Sequence, residues 1–215
     1  MIIAIDGPAG SGKTTTARKV AQRLGFIHIN TGAMYRGITL KFIREKVNLD
    51  DPLDIDRILH NTQLNFGGID HGILYMDGED ISSEITLSYV TEKVSQISAL
   101  SNVRIKLVEF QRDMAQGRDV VLEGRDIGTV VFPNAEYKFY LIADIKVRAE
   151  RRKKEIEASG EYITMEEVIL FLKDRDKRDS SRHNSPLTKA EDAIELDTSK
   201  LSIDEQVNYI INIVN

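Results

Sequence analysis

The stretch of sequence that decides the fold is residues 2–15, IIAIDGPAGSGKTT. It begins with a short apolar run, Ile2–Asp6, that stops at a glycine-rich turn, and a helical pattern then continues to about Leu24. Gly7–Thr14 fits G-x-x-x-x-G-K-[ST] in full, between a predicted strand and a predicted helix, which is the context that this motif requires. Glycines let the backbone N–H groups turn inward toward a phosphate, and the helix N-terminus adds the positive end of its dipole. The sequence therefore predicts a nucleoside triphosphate site at Gly7–Thr15.

Within this P-loop, the polar side chains have different expected tasks. Lys13 should reach the β- and γ-phosphate oxygens, and the Thr14 hydroxyl should ligate a Mg²⁺ ion that arrives with the triphosphate. Asp6 has two interpretations: it orients the loop or a metal-bound water, or it only forms the turn. The predicted ATP-binding residues of the loop are Gly7, Pro8, Ala9, Gly10, Ser11, Gly12, Lys13, Thr14 and Thr15.

Further strands and helices alternate along the chain. The predicted strands after the first are residues 26–30 (FIHIN), 119–123 (DVVLE), 137–143 (YKFYLIA) and 193–197 (AIELD). Most of these runs are almost continuously apolar, as in a parallel sheet that helices cover on both faces. Helices are predicted at about residues 33–46, 88–99 and 103–116, and a last helix opens with the capping box Ser202-x-x-Glu205. We predict one α/β domain, residues 1–215, with a doubly wound parallel five-stranded sheet flanked by helices.

Two segments depart from this alternation. Residues 62–87 contain short strand-like pieces between the turn signals Gly67-Gly68, Asp70-His71-Gly72 and Asp77-Gly78, which predicts a small antiparallel insert. Residues 146–182 are strongly charged and helical, with an interruption near Gly160, and we interpret them as a helical lid.

The helix that follows the capping box Thr164-x-x-Glu167 carries a stripe that changes from apolar to charged. Its apolar part is Met165, Val168, Ile169 and Leu172, and the same spacing continues through Arg175, then Arg178 or Asp179, then Arg182. A charged stripe is commonly a solvated helix face. Here its continuity with the apolar stripe favours an inward-facing set of arginines that binds phosphate. Arg148, Arg151 and Arg152 form a second cluster on the far side of the Gly160 interruption, and the two clusters together indicate a lid that folds over the phosphates. An ordinary polar helix is a stronger alternative for this second cluster, because Lys153, Lys154 and Glu155 follow it.

The bulk composition narrows the function classes. The chain has 215 residues, 41% of them hydrophobic, a formal net charge of −5 and no cysteine. The acidic balance argues against general nucleic-acid binding, which depends on a basic surface. The absence of cysteine excludes disulfides and thiolate chemistry, and no run approaches the roughly 18 apolar residues of a membrane span. We expect a cytoplasmic protein with no membrane or nucleic-acid partner and, since no large apolar helix face is left over, a monomer.

A P-loop indicates a nucleotide but not the chemistry. A GTPase-like switch would carry N-K-x-D and D-x-x-G, and neither string occurs in the chain. A kinase for a small acceptor needs positive charge on both sides of the transferred group, and the arginines above meet that need. Kinases of UMP, dTMP or another small phosphate-bearing acceptor stay open on this reasoning.

Several further motifs resemble one family. These are IDGPAGSGKTTTA at residues 5–17, NTGAMYR at 30–36, SQISALSNVR at 95–104, EGRDIGTVVFP at 123–133 and RDKRDSSRHNSPL at 175–187. With them the chain resembles bacterial cytidylate kinases along essentially its whole length. The resemblance implies ATP-dependent phosphorylation of CMP and dCMP, with Mg²⁺ as cofactor. It also implies that residues 31–104 form the acceptor-binding region.

The resemblance assigns roles to individual residues. The implied CMP-binding residues are Thr31, Arg36, Ser95, Arg104, Arg125, Asp126, Arg175, Asp179 and Arg182. Of these, Thr31, Arg36 and Arg125 would hold the acceptor phosphate, Ser95, Arg104 and Asp126 the cytosine, and Arg175 and Asp179 the sugar. Arg148 and Arg178 would approach ATP from the lid. The implied catalytic residues are Lys13, Arg125, Arg178 and Arg182.

Two positions depart from the family pattern. Thr31 stands where serine is common, and Glu123 stands where aspartate is expected, which leaves open whether Glu123 reaches the Mg²⁺ shell. The acceptor of this reaction is a phosphate oxygen that is already an anion at neutral pH. The chemistry therefore requires no general base, and catalysis rests on alignment and charge neutralisation.

Overall fold

A computed structural model describes residues 1–68, 72–158 and 160–215. Its elements in chain order are β1 (Ile2–Asp6), α1 (Lys13–Leu24), β2 (Ile27–Asn30), α2 (Thr31–Arg44), α3 (Pro52–His60), β3 (Leu64–Gly67), β4 (Ile73–Met76), β5 (Glu79–Asp80), α4 (Ser88–Thr91), α5 (Val94–Ile97), α6 (Ser101–Ala115), β6 (Val120–Gly124), β7 (Tyr137–Ile142), α7 (Ile145–Ala158), α8 (Met165–Ser180), β8 (Ile194–Asp197) and α9 (Ile203–Val214). A 3-10 turn lies at Glu84–Thr86 and a π-helical turn at Ile127–Val131.

Five of the strands form one parallel sheet, in the order β2-β6-β1-β7-β8. This confirms the predicted doubly wound sheet. From β1 the chain crosses to one edge, whereas from β6 it crosses to the other side of β1. Ligands of such sheets bind at the carboxyl ends of the strands where the connections diverge. In this molecule that point lies between Asp6 and Gly124, which are paired across β1 and β6.

Helices cover both faces of the sheet, as the apolar strands require. One face packs Ile3, Ile5 and Val121 against α1 and α9. The other packs Ala4 and Leu122 against α2, α3 and α6. A separate small cluster holds α7 and α8 together and brings them to Ala9 of the P-loop. The predicted lid helices are thus anchored directly beside the phosphate-binding loop.

The insert is a three-stranded antiparallel sheet, β3-β4-β5, as predicted. It packs beneath α2, where a side chain at Gly37 would come within 3.2 Å of both Leu74 and Ile81. The tight turn Asp77-Gly78 has both residues at positive φ, which Asp and Gly tolerate best. The predicted turn at Asp70-His71-Gly72 falls largely on residues 69–71, which lie outside the described residues.

Two helix predictions needed correction. The helix expected over residues 88–99 is two short helices, α4 and α5. The segment is rich in serine and β-branched residues, which are weak helix formers, so the packing of buried Val90, Val94 and Ile97 sets its path. The helix expected from residue 33 begins at Thr31, because the Asn30 side chain accepts a hydrogen bond from the Ala33 N–H and caps it. No helix in the described part of the chain is long and apolar enough to cross a membrane.

Candidate active site

A cavity of about 420 Å³ lies at the carboxyl ends of β1 and β6. The cavity is lined by the P-loop, by residues of α2, α5, α6, α7 and α8, and by the residues that follow β6. Its lining includes most of the predicted site residues: Ala9, Gly10, Gly12, Lys13, Thr14, Thr15, Thr31, Arg36, Ser95, Arg104, Arg125, Asp126, Arg175, Asp179 and Arg182. The fold therefore brings residues from five separate sequence motifs to one site.

The P-loop has the conformation that its glycines permit. Gly7 has a φ of +145°, and a Cβ there would lie 2.1 Å from the Leu141 carbonyl oxygen. Gly12 precedes α1 in the left-handed region, with a φ of +92°. The Lys13 ammonium curls back to donate to the Pro8 carbonyl at 2.6 Å and to the Ser11 hydroxyl at 3.3 Å. Burial and the nearby Arg125 hold the pKa of Lys13 well below its ordinary value, so this cation lacks enough negative charge around it.

Glu123 contacts the residue that was expected to hold the metal. Its Oε2 accepts a hydrogen bond from the Thr14 hydroxyl at 2.8 Å, although the carboxyl group is only 4% exposed. The longer side chain thus reaches the P-loop from β6. The structure describes no group of three or more His, Asp or Glu side chains that could hold a metal ion. A hydroxyl beside one carboxylate fits a Mg²⁺ ion that takes its other ligands from triphosphate and water.

Asp6 positions the loop after β6. Its carboxylate accepts from the N–H groups of Ile127 at 2.9 Å and Gly128 at 2.8 Å. Burial raises its pKa to about 6, and the two backbone hydrogen bonds oppose that rise. Neither sequence interpretation named this contact: Asp6 anchors the π-helical turn that directly follows Arg125 and Asp126.

The residues expected to recognise the base form a buried pair. An Arg104 guanidinium nitrogen donates to Asp126 Oδ2, and both residues are about 5% exposed or less. Arg104 also donates to the Ser98 carbonyl at 3.2 Å, and its guanidinium lies 5.4 Å from the centre of the Tyr35 ring. Ser95 lines the same cavity. The Arg104–Asp126 pair offers fixed hydrogen-bond donors and acceptors next to the aromatic side chain of Tyr35.

Three arginines, Arg125, Arg175 and Arg182, surround the Asp179 carboxylate, and Arg36 lies near Arg125. Arg125 Nε donates to Asp179 Oδ2 at 2.9 Å, and Arg182 contacts Asp179 Oδ1. Burial lowers the pKa of Arg175 to about 9 and that of Arg36 to about 10, and neighbouring Arg125 adds to both effects. Within the described residues, the buried Nε atoms of Arg36 and Arg175 have no hydrogen-bond acceptor. Such a cluster attracts anions.

Thr31, Arg148 and Arg178 are placed differently from the rest. The Thr31 hydroxyl donates to the Glu123 carbonyl at 2.7 Å, so it braces the cavity wall. Arg148 is buried beneath the P-loop, where it donates to the Ala9 carbonyl at 3.1 Å and to Asp176 at 2.6 Å. Arg178 is exposed on α8 and does not line the cavity. The stripe on α8 therefore continues through Asp179, and the ATP-side roles of Arg148 and Arg178 stay predictions.

Sequence reasoning missed several residues that line the cavity. The site residues predicted from the sequence do not include Tyr35, Arg151, Arg152 and Glu155, all of which line the cavity. Arg151 donates to the Thr198 hydroxyl at 3.1 Å and to the Thr198 carbonyl at 2.8 Å, which ties α7 to the end of β8. The unusual arginine density of residues 148–152 was the signal that could have identified them.

Comparison with protein families places these features in a known group. A family model described as cytidylate kinase matches residues 3–215. The cytidylate kinase of Caldanaerobacter subterraneus subsp. tengcongensis is 46% identical over 208 residues, which cover 97% of this chain and 92% of the relative. That of Chloroherpeton thalassium is 47% identical over 218 residues, with 98% and 91% coverage.

Solved structures with much lower identity share the fold. An uncharacterised protein from Eubacterium ventriosum superposes with a TM-score of 0.55 at 14% identity, covering 100% of this chain and 98% of the other. Shikimate kinase from Bacteroides thetaiotaomicron gives a TM-score of 0.54 at 10% identity, with the same coverage.

Proposed function

The chain belongs to the cytidylate kinase family, and from that premise we propose how its residues divide the work of moving a phosphoryl group from ATP to CMP. The reaction is the phosphorylation of CMP to CDP at the expense of ATP. One observation supports the assignment of residues: the P-loop and an arginine cluster with too little negative charge around it line the same cavity. Such a cavity would accept two phosphate-bearing molecules, one held by the P-loop and one by the arginines.

The donor side consists of the P-loop and the start of α1. Its backbone N–H groups and the Lys13 ammonium would hold the terminal phosphates of ATP. Lys13 can leave its carbonyl acceptor for a phosphate, and its lowered pKa favours that exchange. Thr14 would ligate Mg²⁺ while Glu123 fixes its hydroxyl. When bound, Mg²⁺ supplies charge neutralisation for the phosphate oxygens.

The acceptor side separates base recognition from phosphate recognition. Asp126 would accept from the exocyclic amine of cytosine, and Arg104 would donate to its ring N3 and O2. Uracil reverses part of that pattern and would leave buried polar groups mispaired, which is the stronger kind of discrimination. Arg36 and Arg125 would hold the CMP phosphate, Arg175 and Asp179 the sugar, and Arg182 the transferring group. dCMP, which lacks only one sugar hydroxyl, is the second acceptor that we propose.

Chemistry in this site consists of alignment and charge neutralisation. The attacking oxygen of CMP is anionic at neutral pH, so no side chain has to remove a proton. Arg125, Arg182 and Lys13, which line the same cavity, would share the charge on the transferring group. We further propose that residues 146–182 close as a lid over the acceptor-binding region, residues 31–104, and exclude water. The enzyme would work as a monomer in the cytoplasm, where both nucleotides are available.

A coupled ADP-release assay with a panel of acceptors tests this proposal. CMP and dCMP should support rapid turnover with magnesium, whereas UMP, dTMP, AMP and GMP should be poor acceptors. Without any acceptor, ATP hydrolysis should be slow because the open cavity does not align water for attack. Equal rates with CMP and UMP would contradict the role given to Arg104 and Asp126.

A further inference from the structure

His28 is a buried histidine that has no task in the scheme above. It lies on β2 and is 5% exposed. Because β2 pairs with β6 so that His28 stands opposite Val121, the two side chains share the α1 face of the sheet. Glu123 lies two positions beyond Val121 on β6 and therefore projects to that face as well. The strand register brings an imidazole and a carboxyl group together under the start of α1.

The two side chains face each other directly. His28 Nε2 lies 3.5 Å from Glu123 Oε1, and within the described residues neither atom makes a shorter polar contact. The other carboxylate oxygen, Oε2, is the one that accepts from the Thr14 hydroxyl. Glu123 thus sits between a histidine on one side and the P-loop threonine on the other. A buried Nε2 without any other acceptor is costly unless it interacts with this carboxylate.

The length of the Glu123 side chain explains why a second anchor is useful. Aspartate, expected at this position from the family pattern, has one rotatable bond fewer. The extra bond lets glutamate reach Thr14 and also lets it turn away, and fixing such a side chain in one rotamer costs conformational entropy. A contact on Oε1 restricts the carboxylate to the orientation in which Oε2 faces Thr14.

We propose that His28 is a positioning residue for phosphoryl transfer: through Glu123 it holds the Thr14 hydroxyl with its lone pairs directed at the Mg²⁺–triphosphate. The inference rests on the proposed magnesium role of Thr14. We expect its effect on the donor side, since His28 does not line the cavity and reaches it through the Glu123 carboxylate, which contacts Thr14. Loss of His28 should therefore weaken metal-dependent nucleotide binding and leave the CMP side unchanged.

Calorimetric titration of ADP with and without Mg²⁺ tests this prediction. In the unaltered protein magnesium should tighten ADP binding. His28→Leu should reduce that gain about tenfold, in the range found when groups that orient metal ligands are removed, while KM for CMP stays unchanged. His28→Gln, whose amide N–H can still donate to Oε1, should restore most of the gain. Val121→Ala is the matched control, because it loosens the same face of the sheet without touching Glu123.

Each other outcome overturns the inference in a recognisable way. An undiminished magnesium gain in folded His28→Leu would show that Glu123 needs no second anchor, and an equal loss in Val121→Ala would reduce His28 to a packing residue. In a Glu123→Gln background, His28→Leu should have no further effect, and additive losses would refute action through Glu123. His28→Val replaces His28→Leu if the leucine variant does not fold. No magnesium gain in the unaltered protein would overturn the metal role of Thr14 and this inference with it.

Discussion

Replacing Arg175 by methionine should make the free enzyme more stable and much less active. Burial, followed by repulsion from Arg125, lowers the pKa of Arg175 from its ordinary value to about 9. The sign follows from linkage: below pH 9 the guanidinium is charged in both the folded and the unfolded chain, so the full cost of the buried charge is present at pH 7. At about 1.36 kcal/mol for each tenfold change in acidity, this cost is at most about 5 kcal/mol.

The measurable gain is smaller than that upper bound. Solvent relaxation around a side chain that is only partly enclosed, and the packing of the arginine stem, reduce it to about 1–2 kcal/mol. For a chain of this size such a gain raises Tm by about 3–6 °C. Activity should fall in the opposite direction, by about 100-fold in kcat/KM for CMP, because a charged contact to the acceptor is lost.

Thermal unfolding without ligands, followed by steady-state kinetics with CMP, checks both halves of this prediction. Arg18→Met is the matched control, because Arg18 is exposed on α1, and it should change neither Tm nor kcat/KM appreciably. A lower Tm for Arg175→Met together with full activity would refute the reasoning. It would mean that the arginine cluster is a structural network that its own carboxylates already neutralise.

Three further predictions concern the donor loop, the base pocket and the buried aspartate. Lys13→Met should lower kcat by more than about 100-fold while KM for CMP changes less than about threefold; unchanged turnover in a coupled assay would contradict the P-loop assignment. Arg104→Met should reduce the CMP-over-UMP ratio of kcat/KM by at least about tenfold, and an unaltered ratio would disprove its role in base recognition. Since the pKa of Asp6 is raised to about 6, its contribution to stability is most favourable below pH 3.8 and is lost as pH rises toward 6. The free energy of unfolding, measured in urea at pH 4.5 and pH 7, should fall between these pH values in the unaltered protein and fall less in Asp6→Asn. An equal fall in both proteins would contradict the raised pKa of Asp6.

The sequence predicted correctly those features that depend on interactions between residues close together in the chain. The P-loop, the strand that precedes it and both capping boxes depend on contacts within a few residues, and the structure confirms them. Periodicity also identified the inward stripe of α8 but could not choose between residues 178 and 179. That choice depends on what packs against the helix: Arg125, the residue directly after β6, binds Asp179 and so places residue 179 on the inward face.

Contacts between distant segments escaped the sequence because no local pattern encodes them. Thr14 and Glu123 are 109 positions apart, and only the pairing of β1 with β6 brings the carboxylate beneath α1. The contact between Asp6 and the π-helical turn has the same origin. Tyr35 belongs to the NTGAMYR motif, but its place in the cavity depends on α6, which brings Arg104 to 5.4 Å from the centre of its ring.

The charge distribution of the cavity links stability to function in this enzyme. Lys13, Arg36 and Arg175 all have lowered pKa values, so the free protein maintains more buried positive charge than its own carboxylates offset. Asp179 reduces the repulsion between Arg125 and Arg182, because its carboxylate forms an ion pair with each of them. Two nucleotide phosphates bound in the cavity would supply the missing negative charge. Substrate binding should therefore relieve the repulsion within the arginine cluster and stabilise the fold. The rise in Tm on adding CMP should be smaller in Arg175→Met than in the unaltered enzyme, because that variant has less repulsion to relieve.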